Sequence, residues 1–302
     1  MDRQPLSSAP ASRFRVRVEG VVQGVGFRPF VHGLASARGL SGLVGNDPAG
    51  VFIEVEGDPG ALDQFLAALE AEAPPLAVID RVETEVISPT GSAGFVIVES
   101  DPAGERQTLI SPDTATCDEC LAELFDQGDR RFRHPFINCT NCGPRFTIIR
   151  DVPYDRPLTT MSGFAMCADC RREYEDPRDR RFHAQPVCCP ACGPSLRLID
   201  RDGAPIAGDP VAAAVRVLAT GGVLAVKGVG GYHLAALAGS EPAVTALRSR
   251  KHREDKPFAV MVADLDAARA LGAVGAAEAR ALTSTRRPIV LLQRASGAPV
   301  AA

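Results

Sequence analysis

Four Cys-x2-Cys pairs in the middle of the chain restrict its fold more than any other feature of the sequence. The pairs are separated by 18, 24 and 18 residues. Two thiolates three residues apart can face one ion, and two such pairs complete the closed tetrahedral shell of a structural zinc site. We therefore expect two structural zinc ions, held by Cys117, Cys120, Cys139, Cys142, Cys167, Cys170, Cys189 and Cys192.

The cysteine pattern is part of an internal duplication, because each of the last four of these cysteines follows its counterpart by 50 residues. The sequence RRF at 130–132 recurs at 180–182, and GP at 143–144 recurs at 193–194. A repeat of this kind predicts two copies of one small structural unit. Since four thiolates fill each shell, His183 is interpreted as a local hydrogen-bonding residue and not as a ligand.

The pairing of the cysteines is open from spacing alone. Within a double zinc-finger region at 101–200, sequential pairing places one ion in each repeat, 117–142 and 167–192, and is favoured because each repeat is then self-contained. A nested pairing is also allowed, in which the two outer Cys-x2-Cys pairs share one ion and the two inner pairs share the other. An iron–sulfur centre is the alternative to zinc. The ninth cysteine, Cys188, has no cysteine counterpart in the repeat, so we expect it outside the ligand sets, although its spacing from Cys192 also permits ligation.

Composition indicates globular domains in the cytoplasm, with neither a membrane nor nucleic acid as partner. Of the 302 residues, 45% are hydrophobic and 23% charged, and no apolar run approaches the ~20 residues that a membrane helix needs. Residues 1–12 lack the apolar stretch of an export signal, so we expect a short disordered lead there. The net charge is −4, and 117–192 contains eleven Arg against twelve Asp and Glu, which disfavours nucleic acid.

Residues 13–100 contain the element order β-α-β-β-α-β, which predicts a ferredoxin-like α/β sandwich. The sequence NDPAG at 46–50 predicts a hairpin turn, and Asp58 is placed to cap the second helix. The predicted strands cover 14–18, 41–46, 51–56, 82–86 and 95–97, and the predicted helices cover 27–34 and 62–69.

The loop between the first strand and the first helix has the composition of a phosphate site. Glycines allow successive backbone N–H groups to converge on an anion, the helix N-terminus adds a favourable dipole, and Arg28 supplies a planar fork that matches phosphate oxygens. A plain tight turn with a solvated Arg28 is the alternative. The residues of this loop are Gln23, Gly24, Val25, Gly26 and Phe27.

The sequence VQGVGFR at 22–28, followed by GN at 45–46, closely resembles the acylphosphatase signature. The resemblance covers 13–99 and implies hydrolysis of an acyl phosphate, in which Arg28 holds the phosphoryl group and Asn46 orients the attacking water. Such a reaction depends on charge stabilisation and alignment more than on a strong base.

Residues 208–302 alternate helical and strand patterns, which predicts an α/β domain with a buried first strand. The predicted helices lie at 211–218, at 243–247 and after Asp264, and the predicted strands lie at 223–226, 258–262 and 289–292.

Lysine is rare in this chain, and only three of its 33 Lys and Arg residues are lysines. A compact ammonium is a good point-charge partner for phosphate, so these lysines are candidates for a phosphate site. The alternative interpretation is that they belong to a solvated basic helix end. The sequence KHREDKP at 251–257 resembles the substrate loop of the YrdC/Sua5 family, which binds ATP and forms carbamoyl-adenylate-type intermediates. The resemblance implies that the nucleotide or carbamate is bound by Lys251, Arg253, Lys256 and Lys227.

In combination, the three regions resemble one family, the HypF-type carbamoyltransferases of nickel–iron hydrogenase maturation. Three segments are similar to sequence motifs of that family: DVPYDRP at 151–157, RFHAQP at 181–186 and KGVGG at 227–231. The resemblance implies that carbamoyl phosphate is hydrolysed at Arg28 and Asn46, and that ATP with magnesium activates the carbamate as carbamoyl-adenylate. It further implies transfer of the carbamoyl group to the C-terminal cysteine of a HypE-type dehydratase partner, for cyanide ligand synthesis.

The expected fold is therefore α+β and multidomain: an acylphosphatase-like sandwich, a duplicated four-cysteine connector and an incomplete YrdC-like domain. Members of the family continue through the rest of the YrdC-like domain and a transferase domain, so we expect 208–302 to be a truncated amino-terminal part. This chain alone is expected to retain acyl or carbamoyl phosphate hydrolysis. Two other classes stay open, a threonylcarbamoyl-adenylate synthase-like enzyme of tRNA modification and a zinc-knuckle binding module.

Overall fold

The computed structural model describes residues 11–101, 103, 109–253 and 256–301. The chain divides into two units, Met1–Pro194 and Ser195–Ala302. Most of the expected disordered lead, residues 1–10, lies outside the described residues. Ser12 already belongs to the first strand, which corrects the expected end of that lead.

A five-stranded sheet forms the amino-terminal part of the first unit. Its strands are β1 (Ser12–Val21), β2 (Ser41–Asp47), β3 (Gly50–Gly57), β4 (Val78–Ile87) and β5 (Phe95–Ile97). They lie in the order β4-β1-β3-β2-β5, and every neighbouring pair is antiparallel except β2 with β5. The predicted hairpin is confirmed, because Asp47 pairs with Gly50 across the turn between β2 and β3.

Two helices, α1 (Phe27–Ala37) and α2 (Pro59–Ala71), enclose one hydrophobic core with this sheet. The predicted cap of α2 is confirmed, since the Asp58 carboxylate accepts hydrogen bonds from the backbone N–H groups of Gly60 at 2.9 Å and Ala61 at 3.2 Å. The ferredoxin-like sandwich is confirmed as well. Fully buried core side chains include Val16, Val18, Val31, Val44, Ile53, Leu62, Phe65 and Leu69.

The rest of the first unit consists of two finger repeats with little regular structure. Each repeat has one short helix, α3 (Asp118–Phe125) or α4 (Ala168–Glu175), which begins directly after the first cysteine of that repeat. Two 3₁₀ turns, Arg156–Leu158 and Thr160–Gly163, lie between the repeats. The buried apolar clusters here are small and consist largely of the cysteines themselves, so hydrophobic burial contributes little to the stability of this region.

The second unit contains helices and a two-stranded antiparallel hairpin. Its elements in chain order are α5 (Pro210–Ala219), β6 (Leu224–Gly228), β7 (Gly231–Ala235), α6 (Glu241–Lys251), α7 (Leu265–Leu271) and α8 (Ala276–Thr283). The helices predicted at 211–218, at 243–247 and after Asp264 are confirmed. Across the described part of the chain, no helix has the length and apolar character needed to span a membrane.

Two strand predictions in the second unit are wrong. Residues 258–262 and 289–292 are irregular, and Leu291 is 88% exposed. The strand predicted at 223–226 exists as β6, but it is not buried, since Val226 is 43% exposed. One physical reason covers all three cases: β6 and β7 pair only with each other among the described residues, so no further strand supplies backbone partners or a covering face.

Replacing Phe65 by alanine is expected to lower the free energy of unfolding by about 3–5 kcal/mol, because it leaves a cavity in the sandwich core. Phe65 is 0% exposed on α2. The measurement is urea unfolding of the full chain, monitored by hydrogen exchange in peptides from β1 and β3. The matched control Glu70→Ala removes an exposed side chain of the same helix and should change the free energy by less than about 0.5 kcal/mol. Equal effects of the two substitutions would contradict this core.

Candidate active site and metal centres

Each finger repeat brings four cysteine sulfur atoms together, and all four lie within 4.8 Å of one another. Neighbouring sulfur atoms are 3.5–3.7 Å apart in the first group and 3.6–3.8 Å apart in the second. Four sulfur atoms placed tetrahedrally at ~2.3 Å from a zinc ion stand about 3.8 Å from each other, so both groups fit zinc. The groups are Cys117, Cys120, Cys139 and Cys142, and Cys167, Cys170, Cys189 and Cys192.

The pairing of the cysteines is therefore sequential and not nested. Cys188 lies outside both groups, buried, with its Sγ 3.5 Å from His134 Nε2 and 3.5 Å from the carbonyl oxygen of Phe136. His183 also lies outside the groups. Its backbone N–H donates to the carbonyl of Tyr174 at 3.0 Å, and the two rings are 5.0 Å apart between centroids.

The glycines of the predicted phosphate loop are required by its geometry. Gly24 and Gly26 have φ angles of +73° and +78°, in the left-handed region that favours glycine. A Cβ atom on Gly24 would lie 3.1 Å from side-chain carbons of Arg145 and Tyr154. Gly26 directly precedes α1, so the loop lies at the positive end of the helix dipole.

Three other residues of the loop hold it in place. The Gln23 side chain donates to the carbonyl oxygen of Asp47 at 2.7 Å and accepts from the backbone N–H of Tyr154 at 2.9 Å. Val25 and Phe27 are buried in the sandwich core. Gln23 thus joins the β2–β3 turn to the finger region, while the two apolar residues position the glycines between them.

Arg28 and Asn46, the predicted catalytic residues, line one recess. The Arg28 side chain is 9% exposed, and its guanidinium donates to Ser100 Oγ at 3.1 Å and to Asp155 Oδ1 at 2.6 Å. Ser100 Oγ donates in turn to the other carboxylate oxygen of Asp155. Asn46 is 1% exposed, and its Oδ1 has no hydrogen-bond partner among the described residues. A buried amide oxygen of this kind is suited to accept a hydrogen bond from a ligand or water.

Asp155 reaches Arg28 from the finger region on a firmly anchored segment. On one side, Tyr154 is 1% exposed. On the other side, the Arg156 guanidinium donates to the carbonyl oxygen of Gln185 at 2.7 Å, and the backbone N–H of Arg156 donates to Gln185 Oε1 at 2.8 Å. Because both neighbours are fixed, the contact between Asp155 and Arg28 is a defined part of the structure.

Two further residues of the finger region close the recess. Arg145 donates to the carbonyl oxygen of Cys139 at 3.1 Å and to that of Gly24, so it ties the first sulfur group to the glycine loop. His183 lines the recess directly. Burial, followed by the positive charge of Arg28, lowers the pKa of His183 to about 4, so its imidazole is neutral at pH 7.

The chemistry of the recess is that of an anion site without a strong base. Its volume is about 20 Å³, the space of one water molecule. The Arg28 charge is paired with Asp155, so a phosphoryl group that binds the guanidinium competes with that carboxylate for it. The described residues that line the recess include no carboxylate, and they supply one guanidinium and one unpartnered amide oxygen.

The residues predicted to bind a nucleotide lie in the second unit and are exposed. Lys227 lies on β6, with its ammonium 5.6 Å from the ring centroid of Tyr232. Lys251 is the last residue of α6, and Arg253 Nε donates to the carbonyl oxygen of Lys256 at 3.4 Å. Among the described residues, no hydrogen bond or ring contact connects Lys227 with the other three. Their common role stays a prediction.

Sequence reasoning misses several residues around Arg28. Asp155 lies in a segment that the sequence connects only with the family resemblance, and Ser100 and Arg145 carry no signal at all. The contact between Asp155 and Arg28 joins residues 127 positions apart, so neither periodicity nor motif spacing reveals it.

The sandwich and its recess indicate the class of protein to which the amino-terminal domain belongs. The acylphosphatase family model matches residues 14–97, the HypF finger model matches 116–149 and 166–199, and the Sua5/YciO/YrdC model, described as telomere recombination, matches 216–302. The acylphosphatase of Thermotoga petrophila is 46% identical over 84 residues, which are 28% of this chain and 92% of that protein. The amino-terminal domain is therefore an acylphosphatase domain.

The similarity to one family extends over nearly the whole chain. Carbamoyltransferase HypF2 of Cupriavidus necator is 53% identical over 300 residues, which are 98% of this chain and 37% of that protein. A crystal structure of full-length HypF in a phosphate- and nucleotide-bound form has a TM-score of 0.90 and 45% identity, and the match covers 94% of this chain and 37% of that one. The chain belongs to the HypF family, and it spans little more than a third of the length of these relatives.

Replacing Asp155 by asparagine is expected to tighten the binding of inorganic phosphate, because the substitution removes the charge that competes for Arg28 and retains the shape of the side chain. The expected change is an about tenfold lower Kd, the effect of one charge-assisted hydrogen bond, measured by isothermal titration calorimetry of the full chain. The control Asp63→Asn removes the same charge from an exposed position on α2. Weaker phosphate binding by Asp155→Asn would instead mean that the carboxylate holds Arg28 in its binding orientation.

Proposed function

We propose that this chain is the part of a HypF-type carbamoyltransferase that hydrolyses carbamoyl phosphate and supplies the carbamate to an ATP-dependent step. The observation that carries the proposal is the recess of the acylphosphatase domain, where a buried Arg28 and the unpartnered oxygen of Asn46 lie together. Relatives named carbamoyltransferase support carbamoyl phosphate as the acyl phosphate that is used.

In the proposed hydrolysis, Arg28 binds the phosphoryl group and stabilises its charge in the transition state. Asn46 Oδ1 accepts a hydrogen bond from the attacking water and aligns it with the phosphorus atom that Arg28 holds. Water adds to phosphorus, the bond between phosphorus and the bridging oxygen breaks, and carbamate and phosphate leave with release of one proton to solvent. His183 is neutral at pH 7, because burial and Arg28 lower its pKa to about 4, so it contributes hydrogen bonding without charge.

The two cysteine groups are proposed to hold one zinc ion each. A shell of four thiolates leaves no open coordination position, so the role of both ions is structural. Ion binding would provide the stability that apolar burial does not provide in this region. It would also keep Arg145 in place at the recess and Asp155 in place against Arg28.

The second unit is proposed to bind ATP with magnesium through Lys227, Lys251, Arg253 and Lys256. The YrdC-type family match and the nucleotide-bound form of the HypF relative support this assignment. ATP would activate the carbamate as carbamoyl-adenylate with release of pyrophosphate. The carbamoyl group would then pass to the C-terminal cysteine of a HypE-type dehydratase partner in the cytoplasm, the step that leads to the cyanide ligands of nickel–iron hydrogenases.

Arg28→Ala is expected to reduce the hydrolysis of carbamoyl phosphate by the full chain by at least about 100-fold, because it removes the charge that stabilises the transition state. Asn46→Ala should reduce kcat more than it raises KM, because it misaligns the water and leaves phosphoryl binding intact. The readout is phosphate release. The control Arg15→Ala removes an exposed arginine of β1 and should leave the rate unchanged. Wild-type turnover in Arg28→Ala would rule out this site.

The ATP-dependent step is tested by carbamoyl-phosphate-dependent conversion of ATP to AMP and pyrophosphate. We compare this chain with a version that continues through the length of its relatives. Phosphate release is expected from both and AMP formation from the longer version, because residues 258–262 and 289–292 lack partner strands among the described residues. AMP formation driven by threonine and bicarbonate would favour the tRNA-modification class. Metal-dependent binding of peptide or RNA, with neither activity, would favour a binding module.

A further inference from the structure

The repeated motif at 130–132 and 180–182 has no part in the proposed reaction, yet its arginines are deeply buried. Arg131 is 1% exposed and Arg181 is 4% exposed. Burying a guanidinium is unfavourable unless its charge is paired and its N–H donors are satisfied. The partners of both residues therefore indicate what the motif does.

The second arginine of each motif donates to the backbone of the other repeat. Arg131 Nε donates to the carbonyl oxygen of Cys188 at 2.9 Å, and Arg181 Nε donates to the carbonyl oxygen of Asn138 at 3.1 Å. Both the donors and the acceptors are related by the same 50-residue shift. The two contacts are thus one interaction, made twice and in opposite directions.

Each motif also binds a glutamate in the helix of the other repeat. Glu173, on α4, accepts from Arg131 Nη2 at 2.5 Å and from Arg130 Nε at 3.0 Å. Burial raises the pKa of Glu173, but the hydrogen bonds from the two arginines outweigh it and lower that pKa to about 2. Glu123, on α3, accepts in the same way from both arginines of the second motif.

The first arginine of each motif reaches a sulfur atom of the other repeat. Arg130 Nη2 lies 3.3 Å from Cys170 Sγ, and Arg180 Nη1 lies 3.2 Å from Cys120 Sγ. Both sulfur atoms belong to the four-cysteine groups, and both are fully buried. Each group therefore receives an N–H donor that its own repeat does not supply.

Electrostatics gives these donors a definite effect on ion binding. Four thiolates and one Zn²⁺ carry a net charge of −2, which is unfavourable in a buried site unless nearby donors offset it. Charge-assisted hydrogen bonds are about twice as strong as neutral ones, and low dielectric strengthens them further. A repeat without its neighbour would lack this stabilisation at its own sulfur atoms.

We propose that the two metal sites form one coupled unit, in which Arg130 and Arg180 complete the site of the opposite repeat and zinc in one site strengthens zinc binding in the other. The proposal rests on the zinc binding proposed above. An ion in the first group orders 117–142, including Arg130, which then donates to Cys170 in the second group. The reverse path runs from the second group through Arg180 to Cys120. Both arginines are positioning residues, since they act on the ion through a cysteine.

The experiment follows zinc release at each site separately. Zinc content of the full wild-type chain is measured first by native mass spectrometry, where two ions per chain are expected, and a chain without zinc would refute zinc binding itself. The protein is then challenged with a chelator in the presence of N-ethylmaleimide. Peptide mass spectrometry reports how fast the cysteines of each group are alkylated.

Arg180→Gln is expected to speed alkylation of the first group, 117–142, about tenfold, the effect of losing one charge-assisted hydrogen bond. Arg130→Gln should speed alkylation of the second group in the same way. Arg180→Lys, which retains the charge, should recover part of the protection. The control Arg178→Gln removes an exposed arginine that pairs with Asp176, and it should leave both rates unchanged.

Coupling between the sites is tested independently by Cys192→Ser, which removes a ligand of the second group. Faster alkylation of the first group in that variant supports the proposal. Unchanged alkylation of the first group in Cys192→Ser would overturn the proposal. It would also be overturned if an arginine variant speeds alkylation of the cysteines in its own repeat first, or speeds alkylation of both groups equally. Hydrogen exchange in peptides from β1 and β3 must match that of the wild type in each variant, which confirms that the sandwich is folded.

Discussion

The close approach of four sulfur atoms in each finger repeat is the constraint on which the finger region depends. Four thiolates within 4.8 Å repel one another, and a bound cation is what makes such a group stable. The apolar clusters around the groups are too small to replace that contribution. The finger region brings Arg145 and His183 to the recess and Asp155 to the guanidinium of Arg28, so these contacts depend on how the region is held together.

The recess is built from two parts of the chain that have different origins in sequence. The sandwich supplies Arg28 and Asn46, and the finger region supplies the residues that close over them. The acylphosphatase of Thermotoga petrophila matches the sandwich over 92% of its own length, so it has no counterpart of the fingers. In this chain, the recess of the sandwich is enclosed by a connector that carries two four-cysteine groups.

Sequence reasoning succeeds where the determinants lie close together along the chain. The glycine loop before Arg28, the cap at Asp58 and the sequential cysteine groups depend on neighbours within one element or one repeat. It fails for Asp155, because a contact over 127 positions leaves no local pattern. The duplicated arginines are visible as a repeat, but a repeat shows that a residue recurs and not which residue it contacts. The apolar runs at 258–262 and 289–292 predict strands, and a strand forms only where another strand supplies its hydrogen bonds.

The ion pair between Arg28 and Asp155 connects the proposed phosphate site with the finger region. If phosphate binds Arg28 as proposed, the free energy needed to separate this pair is subtracted from the affinity for phosphate. Arg156, the next residue, donates to the carbonyl oxygen of Val187 at 2.9 Å, two positions before the sulfur ligand Cys189. A short path through Arg156 therefore joins the ion pair at Arg28 to the segment that carries Cys189.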